Sequence, residues 1–280
     1  MKKIVQELLT GERALYDSHN LSIEDCTFDD GESPLKESSD LDIYNSIFKW
    51  KYPLWYCNNV KVVKSTLLET ARSGIWYTHN ITFLDSMIEA PKTFRRSSDI
   101  TLINTDMPIA DETLWTCNNI KLENVKAKGN YFCMNSSNID IKNFRLNGNY
   151  SFDGAKNITI DNAIMLSKDS FWNTDNVTIT NSTIIGEYLG WNSSNLTFIN
   201  CTIDSLQGFC YIKNLKLVNC KLLNTNLTFE FVEEVDAEVT SKIDSVKNPI
   251  SGRIKAYHID ELIMDTKYID PKKTIIEVDE

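Results

Sequence analysis

The 280-residue chain has no basic run and no arginine-rich stretch with interleaved aromatics. Its net charge is −10 and its pI is near 4.9. Such a chain has no electrostatic reason to seek nucleic acid or anionic lipid, so neither a nucleic-acid nor a membrane partner is expected. No stretch approaches the ~18 apolar residues that a membrane helix needs. The opening residues, MKKIVQELLTGERALYD, hold two lysines but neither a long apolar run nor a small-residue cleavage site, so the expected compartment is cytoplasmic. The seven cysteines are scattered and form no CxxC pair, which predicts reduced, buried, small apolar side chains. No P-loop, GxGxxG or Ser-His-Asp constellation occurs.

What the chain has is a repeat. HNLSIEDCTF, SDLDIYNSIF, NNVKVVKSTL, HNITFLDSMI, SDITLINTDM, NNIKLENVKA, SNIDIKNFRL, KNITIDNAIM, DNVTITNSTI, SNLTFINCTI and KNLKLVNCKL align. Their second residues are Asn20, Asp40, Asn59, Asn80, Asp99, Asn119, Asn138, Asn157, Asn176, Asn195 and Asn214, in steps of 19 to 21. After each comes an apolar, polar, apolar triplet such as Ile158-Thr159-Ile160, the period of a strand with one buried face. A polar residue and a small one follow (Asn162-Ala163, Asn181-Ser182), then another apolar residue. The period and the β-branched content exclude a helix, and the copies lack the LxxLxLxxN pattern of a leucine-rich repeat. The reading is all-β: a single-stranded right-handed parallel β-helix of about 11–12 coils, with short terminal caps. Residues 1–245 form the β-helix and residues 246–280 a C-terminal cap packed on it, one domain overall. The Asn column fits corners, because Asn tolerates the left-handed backbone region and its amide can bond the copies above and below.

One column is not bland. Four residues before each Asn or Asp stand Tyr16, Lys36, Trp55, Trp76, Arg95, Trp115, Met134, Asp153, Trp172, Trp191 and Cys210, taking five of the six tryptophans. The preceding column (Leu54, Ile75, Phe94, Leu114, Phe152, Phe171) is apolar and points inward, so alternation turns the Trp column outward. An exposed aromatic strip marks a binding surface. Trp55, Trp76, Arg95, Trp115, Trp172 and Trp191 are the candidate ligand-binding residues, with a carbohydrate or similar polymer as ligand. Packing of the strip within the protein, or its use as a homo-oligomer contact, are the competing readings.

The segments TGERALYD, FKWKYPLWYC, ETARSGIWYT, APKTFRRSSD, SKDSFWNTDNV and GEYLGWNSSNL, from about Thr10 to Arg253, resemble an uncharacterised bacterial domain-of-unknown-function family with a pectin-lyase-like right-handed parallel β-helix. The resemblance implies the fold and carries no catalytic residue.

An enzyme on that fold needs its signature residues at matching points of the coil. Asn104-Thr105-Asp106 and Asn173-Thr174-Asp175 look like the NTD tripeptide of polygalacturonases, and Arg253-Ile254-Lys255 like their RIK. The two NTDs fall at different points of the coil and no His-Gly occurs, so the match is rejected. A polysaccharide lyase or glycoside hydrolase would have to draw on Asp153, Asp169 and Glu187, or on the basic group at Arg95. His19 and His79 share a turn position three coils apart, roughly 14 Å at β spacing and too far for one zinc. No metal and no cofactor are expected. Cys201 and Cys220 share a column on adjacent coils and read as stacked small residues in a reducing cell.

Overall fold

A computed structural model describes residues 1–279. It divides into two compact units, Met1–Arg145 and Leu146–Glu280. Each is a stack of short parallel strands, one coil per repeat. In the second unit Asp175–Thr180, Ser194–Ile199 and Lys213–Leu223 run parallel. Val177 pairs with Leu196, and Leu196 with Leu215. The first unit repeats this with Asn58–Val63, His79–Leu84 and Ser98–Ile103, where Val60, Ile81 and Ile100 align. These in-register apolar residues are almost fully buried and make the core. Phenylalanines stack within it, Phe28 on Phe48 at 4.6 Å and Phe152 on Phe171 at 4.9 Å. The only helical pieces among the described residues are two three-residue turns, and no helix is long and apolar enough to cross a membrane.

The corners explain the Asn column. All eleven residues from Asn20 to Asn214 have φ between 54° and 60°, a region that Asn and Asp enter at least cost. Their amides form ladders: Asn80 donates to Asn59 (2.8 Å), Asn59 to Asp40 (2.9 Å) and Asn214 to Asn195 (2.8 Å). A second left-handed column lies five residues further on, and there Asn124 donates to Asn104 and Asn219 to Asn200.

Directly after the second corner stands a buried residue, and the strand is interrupted at several coils where it is serine. Ser65, Ser86 and Ser182 each turn a hydroxyl back onto the carbonyl two residues earlier, which competes with strand continuity. Where Val125 or Ala163 stands instead, one eleven-residue strand runs through. A second buried hydroxyl column satisfies corner amides from the next coil: Cys57 N–H donates to Thr78 Oγ1 and Thr78 N–H to Ser97 Oγ, both at 3.1 Å. All seven cysteines are free and buried, as their scatter predicts.

The coil count exceeds the expectation of 11–12. The strand position recurs about fifteen times. Lys2–Val5 precedes the first legible copy, pairing with His19–Glu24. Glu233–Lys247 follows the last one in parallel, within the expected β-helix, and Gly252–Ile263 and Thr274–Val278 continue the stack inside the stretch 246–280 expected to be a cap. These rungs lack the Asn signature: Glu234 takes the corner at φ 58°, and in the next rung Gly252, at φ 122°, lies opposite Val235, one place past that corner. A Cβ on Gly252 would lie 2.0 Å from the Val235 carbonyl oxygen, so the close approach of coils requires glycine there.

Candidate binding face

The tryptophan column lies outside the apolar tube, yet its rings do not stand out into solvent. All five tryptophans in it are half-buried. Each indole N–H donates to a backbone carbonyl of the following coil: Trp55 to Ser73 (2.5 Å), Trp76 to Lys92 (2.9 Å), Trp115 to Tyr131 (2.6 Å), Trp172 to Tyr188 (2.6 Å) and Trp191 to Gln207 (2.7 Å). The acceptor is always three residues before the next member of the column and always left-handed. That turn exposes the carbonyl, and the indole lies across the corner to reach it. Alternation does not reveal this bond, which fixes the orientation of the rings.

In the 1–145 unit the rings close on one another. Trp55 and Trp76 are parallel at 5.2 Å. The Arg95 guanidinium sits between Trp76 (4.8 Å) and Trp115 (4.5 Å), a doubled cation–π contact. Its Nε is buried without a partner, while Nη2 donates to Glu112 at 3.2 Å, which Lys92 also meets at 3.3 Å. A second ladder runs beside the first. Tyr56 and Tyr77 stack at 4.8 Å. Lys36 lies 5.6 Å over Tyr56 and Arg96 5.9 Å over Tyr77. The Trp-only reading missed these tyrosines. Their signal was in the sequence, one residue after the Trp column (Tyr56, Tyr77, Tyr211) and three before it (Tyr52, Tyr131, Tyr188).

In the 146–280 unit Trp172 and Trp191 stack at 5.7 Å. Tyr188 and Tyr211 meet Trp191 edge-on at 5.3 and 5.4 Å. The column then turns inward, because Cys210 is fully buried.

The carboxylate candidates are only partly brought together. Lys168 holds Glu187 in an ion pair at 2.9 Å. Asp153 accepts from Asn173 at 2.8 Å. Burial, then the nearby Glu187 charge, pushes the Asp169 carboxyl above its ordinary value. Glu187 and Lys168 line an open cleft of about 410 Å³ together with Asp204, Asn149 and Asn224, and neither Asp153 nor Asp169 is part of its wall. Asp204 went unread in the sequence because it stands in a strand position that is apolar in the coils on either side (Ile185, Leu223).

Both NTD tripeptides are used by the coil. Asp106 faces Lys126 at 3.6 Å. Asp175 accepts from Ser194 (2.7 Å) and Asn195 (2.8 Å), which hold its carboxyl below the ordinary range. Arg253 of the RIK is tied to Glu277 by two hydrogen bonds, 3.0 and 2.6 Å. His19 and His79 sit at exposed corners, each bonded through Nδ1 to a serine of the next coil. Burial pushes the thiols of Cys57 and Cys117 up to about 12, so neither is a nucleophile near neutral pH. Among the described residues no three His, Cys, Asp or Glu side chains group to hold a metal.

The fold resembles several solved structures at low identity. PfbA, a surface adhesin of Streptococcus pneumoniae, is 12% identical over 81% of this chain and 82% of that one, with a TM-score of 0.49. The A-module of the Azotobacter vinelandii mannuronan C-5 epimerase AlgE4 is 9% identical over 99% and 87%, with a TM-score of 0.30. The catalytic domain of a GH87 α-1,3-glucanase is 10% identical over 99% and 63%, with a TM-score of 0.37. Among curated proteins none matches the sequence. Residues 2–277 match the family described as protein of unknown function (DUF3737), and the chain is a member of that family.

Proposed function

We propose that this protein is a non-catalytic binding solenoid that takes a carbohydrate or similar polymer along the aromatic face, in a reducing compartment. One observation supports the reading above others: the aromatic columns lie outside the tube and are fixed in place by indole N–H bonds to the next coil. Aromatics held rigid in this way lose little freedom when a ligand docks. Tyrosines flank the columns, and Tyr56 and Tyr211 are 48% and 43% exposed. Such rings combine apolar area with a hydrogen-bonding end. Because the indole faces cover one another, contact falls to ring edges, tyrosines and the flanking charges. Trp55, Trp76, Arg95 and Trp115 serve the first unit, and Trp172 and Trp191 the second.

Intrinsic tryptophan fluorescence titrated with oligosaccharides tests this, together with affinity electrophoresis through polysaccharide gels. Retardation that weakens in Tyr56→Ala or Tyr211→Ala is expected. No shift and no retardation with any glycan would remove the reading. Sedimentation velocity on the intact chain separates it from a homo-oligomer contact through the same face.

Glycoside hydrolysis is the second reading, favoured by the Asp169 carboxyl, which burial and the Glu187 charge push above its ordinary value, as a general acid requires. Release of reducing ends that Asp169→Asn abolishes would establish it. A lyase with Arg95 as base is disfavoured, because its guanidinium is clamped between two indoles and its Nη2 donates to Glu112.

A further inference from the structure

We infer that the face of the 1–145 unit is built for an acidic polysaccharide, with Arg96 and Arg72 as its carboxylate-binding groups. The inference deepens the reading above and rests on it. It begins from charge. The chain carries a net −10, yet between Lys49 and Arg96 eight lysines and arginines face only three carboxylates, Glu69, Asp85 and Glu89. None of the three lies in the aromatic columns or their flanks, which in these coils read Lys51-Tyr52 with Trp55-Tyr56, Arg72-Ser73 with Trp76-Tyr77, and Lys92 with Arg95-Arg96. A positive band on a negative chain is a local field that attracts anions.

Partners divide these cations. Lys51 is paired with Glu32 at 3.1 Å, and Lys92 and Arg95 share Glu112. Arg72 and Arg96 are exposed and meet no carboxylate among the described residues. Arg96 is also preset. Its guanidinium lies over Tyr77, and Nη1 donates to the Tyr77 hydroxyl at 3.1 Å. Tyr77 is itself fixed by its stack on Tyr56. A guanidinium held in plane keeps its remaining N–H groups for a planar, two-oxygen acceptor, at little entropic cost.

The closed stack selects among anions. Single-stranded nucleic acid binds by laying bases on open aromatic faces. Here Tyr56 is covered by Lys36 and Tyr77, Tyr77 by Tyr56 and Arg96, and Trp76 by Trp55 and Arg95. The same closure denies a neutral sugar its stacking platform. Ring edges and unpaired guanidinium groups remain, and a sugar chain bearing carboxylates uses both.

The test titrates the full chain with a soluble alginate, with dextran of similar length as the neutral control and a single-stranded oligodeoxynucleotide as the alternative polyanion. Alginate should bind, weakening as salt rises. Arg96→Gln and Arg72→Gln should each weaken it about three- to tenfold, with melting temperature lowered by no more than about 2 °C, because both side chains are exposed. Dextran binding as tightly as alginate, with the Arg96→Gln variant indistinguishable, would overturn the charge inference and leave the binding face standing. Preference for the oligonucleotide would overturn it in favour of nucleic acid. Absence of binding to every polymer would remove both readings.

Discussion

The two units carry the same column and fill it differently. In residues 1–145 a cation is threaded between indoles, Trp76 and Trp115 on either side of Arg95. In residues 146–280 two indoles stack directly, tyrosines close the edges, and the flanking charges are mostly carboxylates, Asp153, Asp169 and Glu187 against Lys168. The backbone device is identical in both: a left-handed residue three places before the column presents its carbonyl to the indole of the preceding coil. The repeat therefore sets position and orientation, while the residues inserted between rings set the charge that a ligand meets. Geometry is shared along the chain and specificity is local.

The largest effects should fall in the buried column beside the tryptophans, at Phe94 of the first unit and Gly190 of the second. Phe94 is fully buried at φ 59°, a conformation a bulky residue holds only when packing enforces it. Gly190 occupies the same position at φ 75°, with Leu196 and Ile212 side chains filling the space. Phe94→Ala should cost about 3–5 kcal/mol. Gly190→Ala should cost only about 1–2 kcal/mol, since its Cβ would meet flexible side-chain ends at 3.0 and 3.3 Å. Urea unfolding measures both, and equal losses would break the comparison.

Next in size are the rings. Trp76→Ala removes a carbonyl bond, a stacking partner and one half of the arginine sandwich, and should cost about 2–3 kcal/mol. Trp191→Ala removes the bond and the stack without a cation and should cost about 1 kcal/mol less. Arg95→Met isolates the cation itself. It keeps the stem, removes the charge and the buried Nε, and should cost about 1 kcal/mol. An unchanged or raised midpoint in denaturant would show that the first unit draws nothing from the threaded charge.

Fold and site were legible to different depths for physical reasons. The Asn at the corner and the apolar alternation are demanded by backbone conformation and burial, so they recur at fixed spacing and expose the solenoid. The rung at Glu233–Lys247 was legible only as an imperfect copy, because Glu234 stands where the other copies have Asn or Asp, and the rung at Gly252–Ile263 was not legible as a coil, because no Asn or Asp opens it. The Trp column was visible for the same reason as the Asn column. What its rings do was not, since the indole N–H bond depends on a carbonyl sixteen or more residues away, freed by a left-handed turn that several residue types adopt. Arg95 was legible as a ligand-binding candidate and as a candidate base, yet its place at the centre of a stack depends on two rings from the coils on either side. The basic band around Arg96 was diluted by the acidity of the whole chain.

The smallest expected effect turns on charge in the second unit. Asp169 is partly buried next to Glu187, and both push its carboxyl above the ordinary 3.8. Its ionised form is thus disfavoured by folding, and the destabilisation grows as pH rises through the raised value. Asp175 is the opposite case in the same unit. Hydrogen bonds from Ser194 and Asn195 lower its carboxyl, so its contribution is present above 3.8 and lost as pH falls through the lowered value. Asp169→Asn should therefore raise the melting temperature at pH 7, by no more than about 2 °C given its solvent exposure. The gain should vanish at pH 3, where the native carboxyl is protonated. Asp175→Ala should lower the melting temperature at pH 7, and by less at pH 3. Melting curves of both variants at the two pH values decide the matter: a gain for Asp169→Asn that persists at pH 3 would assign the effect to packing and not to the Glu187 charge.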